Sequence, residues 1–172
     1  MKIFILTILL SLCGFTSVAA QSNTSTENYT VGKTSLFLEL GGSGWLYSVN
    51  IDHKILPFIS LRGGLSAVPT GDFSFIGGPI LINALPRWNS HRFEIGAGTL
   101  LGHFSNNSNE PHFNNTIQPG ESDNIAFLAL NTGYRYQPLN RNLFFRVAYT
   151  PFITSEGWQH WGGIGVGFTL AN

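Results

Sequence analysis

The chain has 172 residues, a formal net charge of zero and a charged fraction of only 10%, where soluble domains run near ~25%. Balanced charge excludes a basic surface for nucleic acid, and the length suits one domain rather than two. With 20 Gly and 14 Phe beside so few charges, a small domain lacks polar cover for its surface. The composition therefore points to an exterior covered by something other than water.

The first element, MKIFILTILLSLCGFTSVAAQ, opens with Lys2, continues through a short apolar run and ends in small residues. Val18 and Ala20 suit a signal-peptidase site, so residues 1–20 are expected to be a secretory signal peptide. Cys13 is preceded by Leu12, where a lipobox needs a small residue, so lipidation is not expected. It is also the only cysteine; its removal leaves no disulfide and no cysteine-bound metal. Residues 21–33, QSNTSTENYTVGK, are polar and aperiodic and read as a flexible lead-in.

From 34 to 172 the pattern has a period of two, broken by turn residues into eight segments. In the first, Leu36, Leu38 and Leu40 face one way, and Ser35, Phe37, Glu39 and Gly41 the other. The second sets Trp45, Tyr47, Val49 and Ile51 against Leu46, Ser48, Asn50 and Asp52. The third sets Ile59, Leu61 and Leu65 against Ser60, Arg62, Gly64 and Ser66. In the fourth, Ile76, Ile80 and Ile82 oppose Asn83. The fifth places Phe93, Ile95, Ala97, Thr99 and Leu101 opposite Arg92, Glu94, Gly96 and Gly98. In the sixth, Leu128, Leu130, Thr132, Tyr134 and Tyr136 oppose Phe127, Ala129, Asn131, Gly133 and Arg135. The seventh sets Phe145, Val147, Tyr149 and Pro151 against Phe144, Arg146, Ala148 and Thr150. The last sets Ile164, Val166, Phe168 and Leu170 against Gly163, Gly165, Gly167 and Thr169.

One face of every segment is thus apolar, while the other carries glycine, small polar residues and scattered charges. Connections at 53–57, 86–90 and 137–142 read as short turns. Those at 102–123 and 154–160 read as longer loops. An even strand number with short turns at one end and longer loops at the other matches outer-membrane barrels.

Alternation alone leaves the inside undecided. A soluble lipocalin-like barrel is apolar within, and Gly44-Trp45 matches part of that family's Gly-x-Trp signature. Composition favours the reverse. The mixed face is nearly without lysine, which makes it a poor water-facing surface. Turned inward, its glycines make room for long side chains, and Glu39 and Glu94 can neutralise Arg62, Arg135 and Arg146. The expectation is an all-β, eight-stranded antiparallel transmembrane β-barrel. Trp45, Tyr47, Tyr134, Tyr136 and Tyr149 would supply its interfacial girdles. Closing the sheet satisfies the backbone groups that lipid cannot. A filled eight-stranded interior makes the charge network structural rather than an ion path.

The stretches LFLELGGSGWLYSVNIDHKI, HRFEIGAG, TGYRYQP and LFFRVAYTPF resemble a family of small outer-membrane β-barrel proteins common in Bacteroidetes. The resemblance implies an outer-membrane barrel with its signal peptide removed, and it implies no activity.

Candidate chemistry lies in GHFSNNSNEPHF. His103-x-Ser105 with Asn106 resembles the His-x-Ser-Asn stretch of the lipid A 3-O-deacylases, also eight-stranded outer-membrane barrels. That resemblance implies Ser105 as nucleophile and His103 as its base, with an orienting acid roughly a dozen residues after the serine; the nearest carboxylates, Glu121 and Glu110, stand away from that position. The plainer reading is a polar loop containing His and Ser. His103, Glu110 and His112 are also metal-ligand types, though their irregular spacing reads as solvated loop, and no cofactor is expected. The expected partners are outer-membrane lipid and an extracellular ligand met through loop 102–123, with the barrel acting as a monomer.

Overall fold

The computed structural model describes residues 32–109, 117–139, 141–155 and 157–170. The period-two segments form strands β1 (Thr34–Gly41), β2 (Tyr47–Leu56), β3 (Ile59–Pro69), β4 (Phe73–Ala84), β5 (His91–Asn106) and β6 (Ser122–Tyr136). The seventh, β7, runs Leu143–Tyr149 and resumes at Phe152–Thr154, and the eighth, β8, runs Gly157–Gln159 and resumes at Gly162–Thr169. Each interrupted strand keeps one register throughout. Thr132 pairs with Tyr149 and Ala129 with Phe152, so the gap at Thr150-Pro151 interrupts the ladder without slipping it. Proline has no N–H to give, yet its carbonyl still accepts from the Leu130 N–H at 3.0 Å.

Every strand pairs antiparallel with its sequence neighbours, and β1 pairs with β8, Leu38 opposite Val166, to close the barrel. Closure removes both sheet edges, which is what a wall standing in hydrocarbon requires.

The wall is inverted relative to a water-soluble protein. Leu38, Leu65, Ile95 and Ile164 are 59%, 76%, 63% and 61% exposed, while Arg62 and Glu94 are fully enclosed. This is the opposite of the lipocalin arrangement. The lumen divides into two layers. Towards the short turns lie the charges. Towards the long connections lies an apolar cluster of Val68, Phe75, Leu100, Phe104, Ala129 and Phe152.

Four sequence expectations change. Trp45 does not join the outer girdle; it packs on Phe73, Phe75 and Phe104 in the upper lumen, with centroids 5.4, 5.3 and 6.0 Å away. The cause is local. Gly41, Gly42 and Trp45 take positive φ around a short 3-10 turn, Gly42–Gly44, so the alternation counted through Trp45 is broken before β2 begins. Leu46, expected inside, is exposed for the same reason. Second, 102–106 and 122–123, expected within the long loop, are strand, because β5 and β6 pair as far as Ser105 opposite Ser122; residues 110–116 of that loop lie outside the described residues. Third, Thr154 and Gly157–Gln159, expected in a loop, are strand, with Trp158 paired to Ile153. At the short-turn end, residues 53–56 are strand too, and the turn is Pro57-Phe58.

Tyr134, Tyr136 and His91 cluster at the short-turn end, with centroids 5.8 and 5.6 Å from the His91 ring. At the other end Tyr149 stacks on His160 at 6.1 Å, and the Tyr47 hydroxyl donates to the Ala67 carbonyl. Rings with polar tips at both strand ends suit the two membrane–water boundaries.

Candidate functional site: a buried ion network

Six charged side chains meet in the lower lumen because alternation points them inward and register stacks them. Asp52 stands opposite Arg62, and Arg135 opposite Arg146. Glu94 is the hub. It accepts from Arg62 Nη2 at 3.0 Å, Arg135 Nε at 2.7 Å and Arg146 Nη2 at 2.8 Å. Arg135 also reaches Asp52 at 2.7 Å, and Arg146 closes the ring by donating to Glu39 Oε1. Asn131 fills the remaining space, accepting from Arg146 at 3.3 Å and donating to Asn83 at 3.0 Å. Ser43 donates to Glu39 at 3.3 Å.

Aromatic faces complete the site. The guanidiniums of Arg62 and Arg146 lie 5.0 and 5.3 Å from the Phe37 centroid, and that of Arg135 lies 4.4 Å from Phe144. A ring quadrupole partly replaces the water each cation has lost. The site therefore brings together Glu39, Arg62, Glu94, Arg135 and Arg146. It adds Asp52, which the sequence places on the inner face without a partner. Phe37 and Phe144 were also legible as inward, but only register reveals them as cation-bearing faces.

Glycine supplies the space. A Cβ on Gly165 would lie 2.9 Å from Arg146 Cγ and 3.0 Å from the Leu38 carbonyl oxygen, so any side chain there displaces the arginine stem. Gly165→Val is expected to destabilise the barrel by about 1–3 kcal/mol through overpacking. On outward-facing Gly63 an added Cβ meets only Ile51 Cγ2, at 4.0 Å, so Gly63→Ala serves as the near-neutral control. Urea midpoints of the two variants in micelles check the pair.

The candidate catalytic residues lie elsewhere. His103 and Ser105 sit on the outward face of β5 near its long-loop end, His103 exposed and Ser105 half-buried. The His103 ring meets Asn124 Oδ1 at 3.1 Å, and among the described residues no carboxylate bonds it. Glu121 instead accepts from the Gln118 N–H at 3.0 Å. Residues two apart on a strand have Cα atoms about 6.5–7 Å apart, so Ser105 and His103 are neighbours rather than a bonded pair. Glu110 and His112 lie outside the described residues. Among the described residues there is no cluster of three metal-ligating side chains.

Above the network a cavity of about 290 Å³ opens towards the long connections, lined by Trp45, Leu100, Phe127, Phe152, Gln159 and Trp161 among others. The Trp161 indole N–H donates to the Trp45 carbonyl at 2.9 Å and ties its two sides together.

No protein-family model matches this chain, and no curated protein does. Its fold is that of known outer-membrane barrels. It is similar to the N-terminal β-barrel domain of Pseudomonas aeruginosa OprF, at 14% identity with a TM-score of 0.59, covering 78% of this chain and 93% of that one. Looser matches at the same 14% identity are Acinetobacter baumannii CarO, TM-score 0.46, covering 84% and 100% of the two chains, and the Yersinia pestis outer membrane protein Ail, TM-score 0.44, covering 80% and 98%.

Proposed function

We propose that the protein is a non-catalytic barrel of a bacterial outer membrane, with a structural or surface-recognition role carried by its long-loop end. The observation behind this reading is the inverted wall: an apolar exterior around a lumen filled by interlocked ions and aromatic rings. Such a surface is stable in hydrocarbon and insoluble in water. A lumen filled this way favours rigidity over transport. By the usual arrangement of such barrels, both termini and the short turns face the periplasm, and the 107–121 connection faces outward. The four stretches that resemble small Bacteroidetes barrels support a protein of that type.

On this reading the belt contacts outer-membrane lipid, the extracellular ligand is met at the long-loop end beside the aromatic cavity, and the closed sheet serves as a monomer. Fractionation tests the placement: recovery from the membrane pellet only with detergent is the expected result, and recovery in soluble periplasm contradicts it. Mass spectrometry of lipid A tests the absence of catalysis. Neither Ser105→Ala nor deletion of the protein is expected to alter the acyl pattern. An acyl chain that persists on lipid A in both strains, and is missing from the parent, replaces this reading with an ester hydrolase.

A further inference from the structure

The charges enclosed in the lumen do not balance. Among the described residues, Arg62, Arg92, Arg135 and Arg146 are buried against Glu39, Asp52 and Glu94. Three of these arginines hold carboxylates. Arg92 holds none. It is 3% exposed, and its Nε has no hydrogen-bond partner. Burying a cation without a counter-charge is costly, and its neighbours make matters worse. Register sets Arg92 directly between Arg87 and Arg135, and Arg135 beside Arg146. Like charges opposite one another in a sheet repel.

A further cation completes the cluster. Lys54 is the last inward-facing residue of β2 and half-buried, with its ammonium 3.5 Å from the Gly32 carbonyl. It is the next inward residue after Asp52, which Arg135 reaches at 2.7 Å, and Arg92 stands opposite Arg135. The turns at this end, residues 53–60, 85–91 and 137–142, carry Lys54, Arg87 and Arg141 but no Asp or Glu, and the nearest carboxylates, Asp52 and Glu94, are already held by Arg62, Arg135 and Arg146.

We propose that Arg92, Lys54 and Arg87 form an anion site at the short-turn mouth of the barrel, built for an oxyanion of the phosphate class. A guanidinium fork matches two oxygens of a phosphate, and an ammonium adds a point charge beside it. One bound anion would offset the excess lumen charge. The mouth stands level with Trp88, His91 and Tyr136, the height at which lipid headgroups lie. The phosphate therefore comes from a phospholipid headgroup or from solution.

The test uses the barrel folded in maltoside micelles, which contribute no phosphate, and follows the Arg92 Nε–Hε resonance where Arg92 is present and the 31P linewidth of added phosphate in every variant. Inorganic phosphate is expected to shift it saturably. Arg92→Gln is expected to abolish phosphate binding, and Lys54→Gln, a milder change at the rim, to weaken it about tenfold, the loss of one charge-assisted bond. Phosphatidylglycerol doped into the micelles separates the sources. Saturation by the lipid below the concentration needed for the free ion supports a headgroup ligand; response to the ion alone supports a soluble one. If neither shifts Arg92, water alone solvates the guanidinium and the site does not exist. Phosphate affinity unchanged in Lys54→Gln and Arg92→Gln overturns it equally.

Discussion

Glu94→Gln is expected to lower the stability of the barrel by about 3–5 kcal/mol, the range for removing one member of a buried ion pair. The size follows from the hub position. Glu94 receives three guanidiniums at 3.0 Å or less, and the neutral amide leaves Arg62, Arg135 and Arg146 sharing Asp52 and Glu39. Glutamine keeps the volume, so the loss is electrostatic rather than a cavity. At urea slopes of about 1–3 kcal/mol per molar, the unfolding midpoint should fall by roughly 1 M or more. Glu121→Gln, at an exposed turn, should move it by less than about 0.5 kcal/mol. Equal midpoints for Glu94→Gln and the parent would show that the network contributes nothing to folding.

Leu38→Arg is the second large effect, and it tests the outside. Leu38 lies midway along β1, 59% exposed, between Val49 and Val166 of the neighbouring strands. In water an arginine there is harmless. In hydrocarbon it costs about 2–4 kcal/mol at the membrane midplane and falls to about 0–1 kcal/mol near the interface. Tyr136→Arg, at the end of β6, should therefore cost little. Measured in lipid vesicles, the difference between the two substitutions reads out depth. Equal costs at both positions would remove the membrane from the account.

The sequence reveals the barrel clearly because a strand in a two-faced wall writes its faces at every second residue. Leu36, Leu38 and Leu40 against Phe37 and Glu39 suffice to place β1. What alternation cannot supply is where it restarts. Trp45 turns into the lumen because the positive-φ Gly41 that ends β1 and the 3-10 turn after it break the count. Strand ends were short by several residues at 102–106 and 154–160, where Asn, Ser and Gly look like loop but the ladder continues. Polar composition marks where the wall leaves hydrocarbon, not where pairing stops.

The site was legible as a set of inward charges and not as a set of pairs. Pairing depends on register between strands distant in sequence. Arg146 and Glu39 are 107 residues apart, and Arg135 and Asp52 are 83 apart. Register is also what sets Arg92 beside Arg135, an arrangement no single strand announces. The aromatic partners followed the same rule: Phe37 and Phe144 meet at 5.9 Å from strands at opposite ends of the chain.

Two groups of leucines test the orientation of the wall most directly, since they share one chemistry and differ only in the face they occupy. Leu38, Leu65 and Leu128 are exposed on the outside, and Leu81 and Leu100 are enclosed with the lumen cluster. With methyl-labelled protein in lipid nanodiscs carrying a spin label deep on the acyl chain, the first group should broaden strongly and the second should stay sharp. Broadening of Leu81 and Leu100 with sharp signals from Leu38, Leu65 and Leu128 would contradict a barrel with hydrocarbon outside and Arg146 within.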